Sequence, residues 1–369
     1  MRVIIEGSVL DEKRTGVARY IRNIVGVWVK HFSDNKYLIL KRGIESSLES
    51  NTAGISYAVV PYYKRRSIIW QQFIIPKFIN EIDADIYFAP NYTLPLLIKT
   101  PAVITVHDLS FFHYREGSLL KNLFLKWLLK QSCRKAKAII VPAYYIKDEL
   151  IKRIGSVLSD KIYVINNACD DFFLKEDDEN CIEEVKAKYG IKGDYILNVG
   201  LIFNRRHPEL VLEVISRLVN ENKLDLSLVM IGENRSSPYL DINSLIKGMG
   251  IGSRVVLINY VSDYELRVLY KGCSMLIYLS DYEGFALPIL EALSFRKQVV
   301  CSDIGIFREL YFGGCYFVNN RDDKHIADKI VKVLEKPIPN ENIERCISKY
   351  SWEKSGKMLM HIIERIVNL

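Results

Sequence analysis

The run LSDYEGFALPILEALSFRKQVV, residues 279–300, sets two glutamates, Glu283 and Glu291, eight positions apart around Gly284 and Pro288. The apolar stretch SMLIYLS that leads into it reads as a buried parallel strand. Gly284 permits a sharp turn, and Pro288 suits the first position of a helix, where its missing N–H costs nothing. Glu283 then lies on the turn and Glu291 one turn inside the helix. The amides of Phe285, Ala286 and Leu287 would point out of that helix N-terminus, where unpaired donors and the macrodipole favour a phosphate. A carboxylate beside the phosphate can accept both hydroxyls of a ribose diol. Spacing alone leaves two readings open: a nucleotide held by phosphate and sugar, or one glutamate capping the helix with the other on its solvated face.

Outward from this segment the chain repeats one pattern twice. VIIEG, YLIL, ISYAVV, DIYFAP, AVITVHD, KAIIVP and KIYVIN alternate with helical stretches in the first half. DYILNVG, LSLVMIG, RVVLIN, SMLIYLS, KQVVCS and CYFV do so in the second. Short apolar strands separated by helices predict α/β domains with parallel sheets covered on both faces. The 369 residues fit two such domains. The polar segment KEDDENCIEEVKAKYG (175–190) marks the expected boundary, giving domains 1–175 and 176–351, with a last helix at about 352–369 free to pack back on the first. Ligand is then expected at the carboxyl ends of the strands.

Seven cysteines stand singly, without a C-x-x-C pair or metal-ligand spacing, the pattern of a reducing compartment. The start MRVIIEGSVLDEKR passes from a short strand into charges and does not read as a signal peptide, and no run reaches membrane-spanning length. A cytoplasmic location is expected. The net charge of +7 is uneven: residues 1–170 carry 25 Lys and Arg against 15 Asp and Glu, and the remainder 26 against 29. In the first half, PYYKRRSIIWQQFIIPKF (61–78) and REGSLLKNLFLKWLLKQSCRKAKA (115–138) interleave cations with aromatic and aliphatic residues. In the second of these a stripe of Leu119, Leu120, Leu123, Trp127 and Leu128 suits either packing on its own domain or lying on an anionic membrane surface. No zinc, RRM-like or helix-turn-helix pattern supports nucleic acid as a partner.

Chemistry-bearing residues collect at strand ends. His107 and Asp108 follow AVIT, and Arg205, Arg206 and His207 follow YILNVG. Adjacent arginines at a strand-to-helix junction offer planar forks to a diphosphate or are simply solvated. Gly16, in TGVARY, stands at a helix start where a phosphate or sugar could approach the backbone, or is an ordinary loop glycine. A lone His107 is open to a structural role as well. A dinucleotide oxidoreductase is disfavoured, since no G-x-G-x-x-G follows the first strand.

EGFALPILEA resembles the E-x7-E segment of family 4 of the retaining nucleotide-sugar glycosyltransferases, which have the GT-B fold. GVARY resembles that family's glycine loop, and NVGLIFNRRHPELVLEVI its Arg-Lys strand-to-helix segment. WQQFIIP…DIYFAPNYTLP and VITVHDLSFF resemble its polysaccharide-building mannosyl- and rhamnosyltransferase branches. NYVSDYELRVLYKGCSMLIYLSDYEGFALP and SDIGIFREL follow in the family's order. The resemblance implies two Rossmann-like domains and transfer of a hexose from a nucleotide-diphosphate sugar, GDP-mannose, to a lipid-linked saccharide acceptor at the inner face of the membrane. It needs no further cofactor and no divalent metal. By the same resemblance Glu291 would bind the donor ribose and Glu283 the transferred sugar. Phe285, Ala286 and Leu287 would meet sugar and phosphate through their amides, and Arg205 and Arg206 would hold the diphosphate. Gly16 would approach that diphosphate, His107 would face the sugar, and Tyr260 and Val261 would lie against the base. Arg206 departs from the family's lysine, Ala286 from its second turn glycine, and Ala168 from a common glycine. The DAD at 83–85 reads as a loop feature. A nucleotide-sugar 2-epimerase of the same fold is the alternative.

Overall fold

The computed structural model describes residues 1–11, 16–41, 54–60, 70–114, 118–174, 181–221, 224–319 and 322–368. Each apolar run read above as a strand is one. The chain divides into two units, Met1–Ala168 with Tyr350–Leu369, and Cys169–Lys349.

In the first unit the strands are β1 (Arg2–Glu6), β2 (Lys36–Lys41), β3 (Ile55–Val59), β4 (Ile86–Ala89), β5 (Ala102–Thr105), β6 (Ala138–Val141) and β7 (Ile162–Val164). They form one parallel sheet in the order β3-β2-β1-β4-β5-β6-β7. β4, β5 and β6 are buried at every residue, as expected of strands covered on both faces. Strand order reverses between β1 and β4, whose amino ends Arg2 ties together. Its N–H bonds the Asp85 carboxylate at 2.6 Å and its guanidinium bonds the Asp83 carbonyl at 2.6 Å. The DAD is thus a fastening at the foot of the sheet.

The second unit holds β8 (Asp194–Val199), β9 (Leu226–Ile231), β10 (Val255–Ile258), β11 (Met275–Tyr278), β12 (Gln298–Ser302) and β13 (Tyr316–Val318). These are again parallel, in the order β10-β9-β8-β11-β12-β13, with the reversal between β8 and β11. The loops leaving β8 and β11 therefore stand at the topological switch point, where an open α/β sheet offers its crevice.

The division between units falls at Ala168 rather than at 175. Phe173, 1% exposed, packs on Tyr270 and Phe295 of the second unit at ring distances of 6.0 and 6.4 Å, which draws this stretch across. Residues 175–180, the start of the polar segment expected to separate the domains, lie outside the described residues, as does 61–69 of the first basic segment. The helix Trp352–Val367 belongs to the first unit and lies along the helix Gly16–His31. Trp28 Nε1 donates to the Gly356 carbonyl at 2.9 Å. A Cβ at Gly356 would stand 2.7 Å from that of Val27, so glycine sets the close approach. Leu359, Met360 and Ile363 complete the core there.

The helix Leu119–Lys135 corrects the expected stripe. Ser118 caps it, and it buries Asn122, Leu128, Leu129, Ser132 and Cys133. Leu119, Leu120, Leu123 and Trp127 stay 50–79% exposed. Positions 122, 129 and 133 share one face by the helical repeat and 120, 123 and 127 another, so Leu128 parts from the residues before it. Among the described residues no helix is long and apolar enough to cross a membrane.

Candidate functional site

The loop after β8 begins at Gly200, whose φ of +127° lies outside what side-chain-bearing residues adopt. It runs through the short turn Asn204–Arg206 to His207, left-handed at φ 48°, which sits before Pro208 and the helix Pro208–Asn220. The loop after β11 runs from Leu279 to Ala286, also left-handed at φ 60°, and enters the helix Leu287–Ser294 with Pro288 in its first turn. This turn is propped from behind. The Tyr311 hydroxyl donates to the Phe285 and Ala286 carbonyls, at 2.7 and 3.2 Å, and Ser280 N donates to Ser302 Oγ at 2.6 Å. Ala286 pays strain of about 1–2 kcal/mol for a conformation that suits glycine.

Three contacts knit the two loops. Asp281 N donates to the Arg205 carbonyl at 2.9 Å, and His207 Nε2 meets Asp281 Oδ1 at 2.7 Å. Arg206 grips Glu283 with both ends of its fork, Nε to Oε1 at 2.7 Å and Nη2 to Oε2 at 3.1 Å. Ser280 Oγ adds a bond to Glu283 Oε1 at 3.1 Å. Burial alone would push the Glu283 carboxyl up. The Arg206 charge and bonds, with the nearby Arg205 and Ser280, outweigh it and hold the group below the usual carboxylate range. Arg205 lays its guanidinium over the Phe203 ring, 4.4 Å from the centroid.

The two glutamates, expected to act together, have separate surroundings. Glu291 is 3% exposed and so does not lie on a solvated helix face. It accepts a bond from the Tyr270 hydroxyl at 2.8 Å, and the Tyr270 ring stacks on Phe295. Tyr260 is exposed and Val261 buried, next to Ser262, which caps the helix Asp263–Gly272 in a reciprocal box with Glu265. Burial raises Glu265, but bonds from Lys188 and Ser262 prevail and hold its carboxyl at about 2.

Gly16 and His107 belong to the first unit. Gly16 is exposed and opens the first helix, after the carboxyl end of β1. His107 follows β5. Its Nε2 contacts the Pro90 carbonyl at 2.7 Å, so that nitrogen carries the proton and Nδ1 is the acceptor. Burial lowers its pKa from the usual imidazole value against the opposing pull of Pro90 and Asp108. The Tyr20 ring meets it edge-on at 4.9 Å. The carboxyl end of β2, where the sequence shows nothing notable, carries buried Lys41 with its ammonium 3.5 Å from the centre of the Tyr57 ring.

Sequence reasoning missed Asp281, Ser280, Tyr311 and the glycine pair Gly200 and Gly232. The signal for the glycines was present: NVG and MIG each end a strand on glycine. A Cβ at Gly232 would come within 2.6 Å of the Gly200 carbonyl carbon, so Gly232 makes room for the loop after β8, while a Cβ at Gly200 would meet the Arg206 guanidinium.

Two family models match in succession, Glycosyltransferase Family 4 over residues 14–171 and Glycosyl transferases group 1 over 182–350, together most of the chain. The chain belongs to glycosyltransferase family 4. This family 4 glycosyltransferase is 27% identical over 271 residues to the O-antigen chain mannosyltransferase RfbU of Salmonella typhimurium, covering 73% of this chain and 70% of that one. It is also 27% identical over 252 residues to O-antigen chain mannosyltransferase B of Escherichia coli, covering 68% and 65%. Its GT-B fold is shared with Anabaena HepE, solved in complex with UDP and glucose. The TM-score is 0.78 at 15% identity, with 99% of this chain and all of that one covered.

Proposed function

We propose that this family 4 glycosyltransferase moves mannose from GDP-mannose to a saccharide acceptor, lipid-linked, with retention of anomeric configuration and without a divalent metal, in cell-surface polysaccharide assembly. The observation that carries the reading is the arginine-and-carboxylate network at the switch point of the second sheet. It occurs in a chain whose relatives are named O-antigen mannosyltransferases. Breaking the anomeric C–O bond leaves positive charge on the sugar and negative charge on the departing diphosphate. Arg205, fixed at the end of β8, and a helix N-terminus at Leu287 gain in value as that charge develops. The acceptor oxygen bonds the anomeric carbon on the face the diphosphate leaves, and its proton passes to the leaving phosphate oxygen. Glu283 orients the transferred sugar and Glu291 the ribose. Phe285, Ala286 and Leu287 present amides, and Tyr260 and Val261 lie by the base. By the family resemblance, Gly16 is assigned to the diphosphate and His107 to the sugar.

A thermal-shift panel of GDP-, UDP-, dTDP- and ADP-sugars tests the donor, because a ligand specific for the native state raises apparent stability. GDP-mannose is expected to give the largest shift, and Glu291→Ala to weaken it about 10-fold or more in Kd. Transfer should survive EDTA and give an α-linked product by NMR. A flat panel, or an inverted product, would overturn this assignment.

The acceptor reading places the enzyme on the cytoplasmic face, held by the helix Leu119–Lys135. Its exposed Leu119, Leu120, Leu123 and Trp127 are interleaved with Lys121, Lys126 and Lys130. Each cation near an anionic surface contributes about 1 kcal/mol and is screened within a Debye length. Co-sedimentation with phosphatidylglycerol vesicles is expected at low salt, declining as salt rises. Changing Lys126, Lys130 and Lys137 together to Glu should abolish it. Indifference to anionic vesicles would remove the lipid anchor from the proposal.

A further inference from the structure

Arg206 is the basic residue whose contacts fit a diphosphate clamp least. A guanidinium has five N–H bonds. Nε and Nη2 of Arg206 each hold an oxygen of Glu283, and Nη1 donates to the Leu201 carbonyl at 3.1 Å. The side chains are only 20% and 9% exposed. The backbone is shaped to admit this arrangement, because any Cβ at Gly200 would collide with Arg206 Nη1. Moving the fork onto a phosphate would strand a buried carboxylate without its counter-charge and break a two-point grip that a lysine cannot make.

We propose that Arg206 is a positioning residue, which fixes the Glu283 carboxylate toward the transferred sugar and leaves the leaving diphosphate to Arg205. This rests on the donor-site reading above. It also accounts for arginine where the resembled family has lysine: only a planar fork satisfies both Glu283 oxygens from the end of this loop.

The test separates ground-state binding from turnover. Titration calorimetry of the full chain with GDP, UDP, dTDP and ADP identifies the nucleoside diphosphate bound. Absence of binding to all four by the wild type would overturn the donor-site reading and this role with it. Given binding, Arg206→Met should leave Kd for that nucleoside diphosphate within about 3-fold while kcat falls about 100-fold or more. Arg205→Met should raise Kd about 10-fold or more. The acid limb of the pH–rate profile should move to higher pH in Arg206→Met, because Glu283 loses the charge that keeps it ionised. Adding Arg206→Met to Glu283→Gln should cost nothing further in kcat. Should Arg206→Met not fold, Arg206→Lys, which keeps the charge but not the fork, is read by the same split between Kd and kcat. Equal loss of nucleoside diphosphate affinity in the Arg205 and Arg206 variants, with the acid limb unmoved, would overturn the proposal.

Discussion

Glu283→Ala is expected to cost the second unit about 3 kcal/mol of folding stability in addition to most of its transfer activity. Removing one member of a buried ion pair leaves the other uncompensated, at about 3–5 kcal/mol. The lower end applies because the Arg206 side chain keeps 20% of its exposure. Glu283→Gln retains the shape and part of the hydrogen bonding, so it should recover stability while remaining inactive. The acid side follows from the same pair. A carboxyl held below its ordinary value of 4.5 contributes stability that is fully present above that pH and is lost as pH falls through the folded-state value. Glu283→Gln should therefore flatten that part of the acid unfolding profile. Urea unfolding at pH 7 and at pH 4 measures both effects. A wild-type midpoint for Glu283→Ala would show that the network contributes nothing to the fold.

Gly232→Ala should be still more disruptive, roughly 3 kcal/mol or more, although the residue touches no proposed ligand. Its φ of +148° is closed to alanine, and the obstacle is backbone rather than a side chain that could swing away. Gly232 N bonds the Ile258 carbonyl and Gly200 N the Ile231 carbonyl, each at 2.8 Å, so the ends of β8, β9 and β10 are tied here. Relief of the clash would shift the loop bearing Arg205 and Arg206. Loss of nucleoside diphosphate affinity is thus expected even in the molecules that fold. Calorimetry beside urea unfolding checks this, and wild-type values in both would mean the strand ends can part at no cost.

The strands were legible because each is a short apolar run bounded by polar residues or a turn signal, as in YILNVG and LIYLS. Helix entry was legible where chemistry is local, as at Pro288. The wiring of the site was not. Arg206 and Glu283 are separated by 77 positions, and nothing in RRHP tells which arginine turns inward. That choice depends on the space left by Gly200, a fact of three-dimensional packing. The burial of Glu291 was not legible either, since spacing left a solvated helix face open, and its Tyr270 partner lies on another helix. The unit boundary was displaced by Phe173, an aromatic anchor with no sequence mark of which core it would join.

The helix Trp352–Val367 has a consequence for how the protein is made. A ribosome that has reached residue 349 has supplied everything the second unit contains, while the first, begun earlier, still lacks the side chains that cover Trp28, Tyr20 and Ile24. The Trp28 indole waits for a carbonyl 328 residues downstream. Domains synthesised first ordinarily close first. Here the order of completion is the reverse of the order of synthesis, and the nascent first unit carries an uncovered apolar face until translation has passed Ile363.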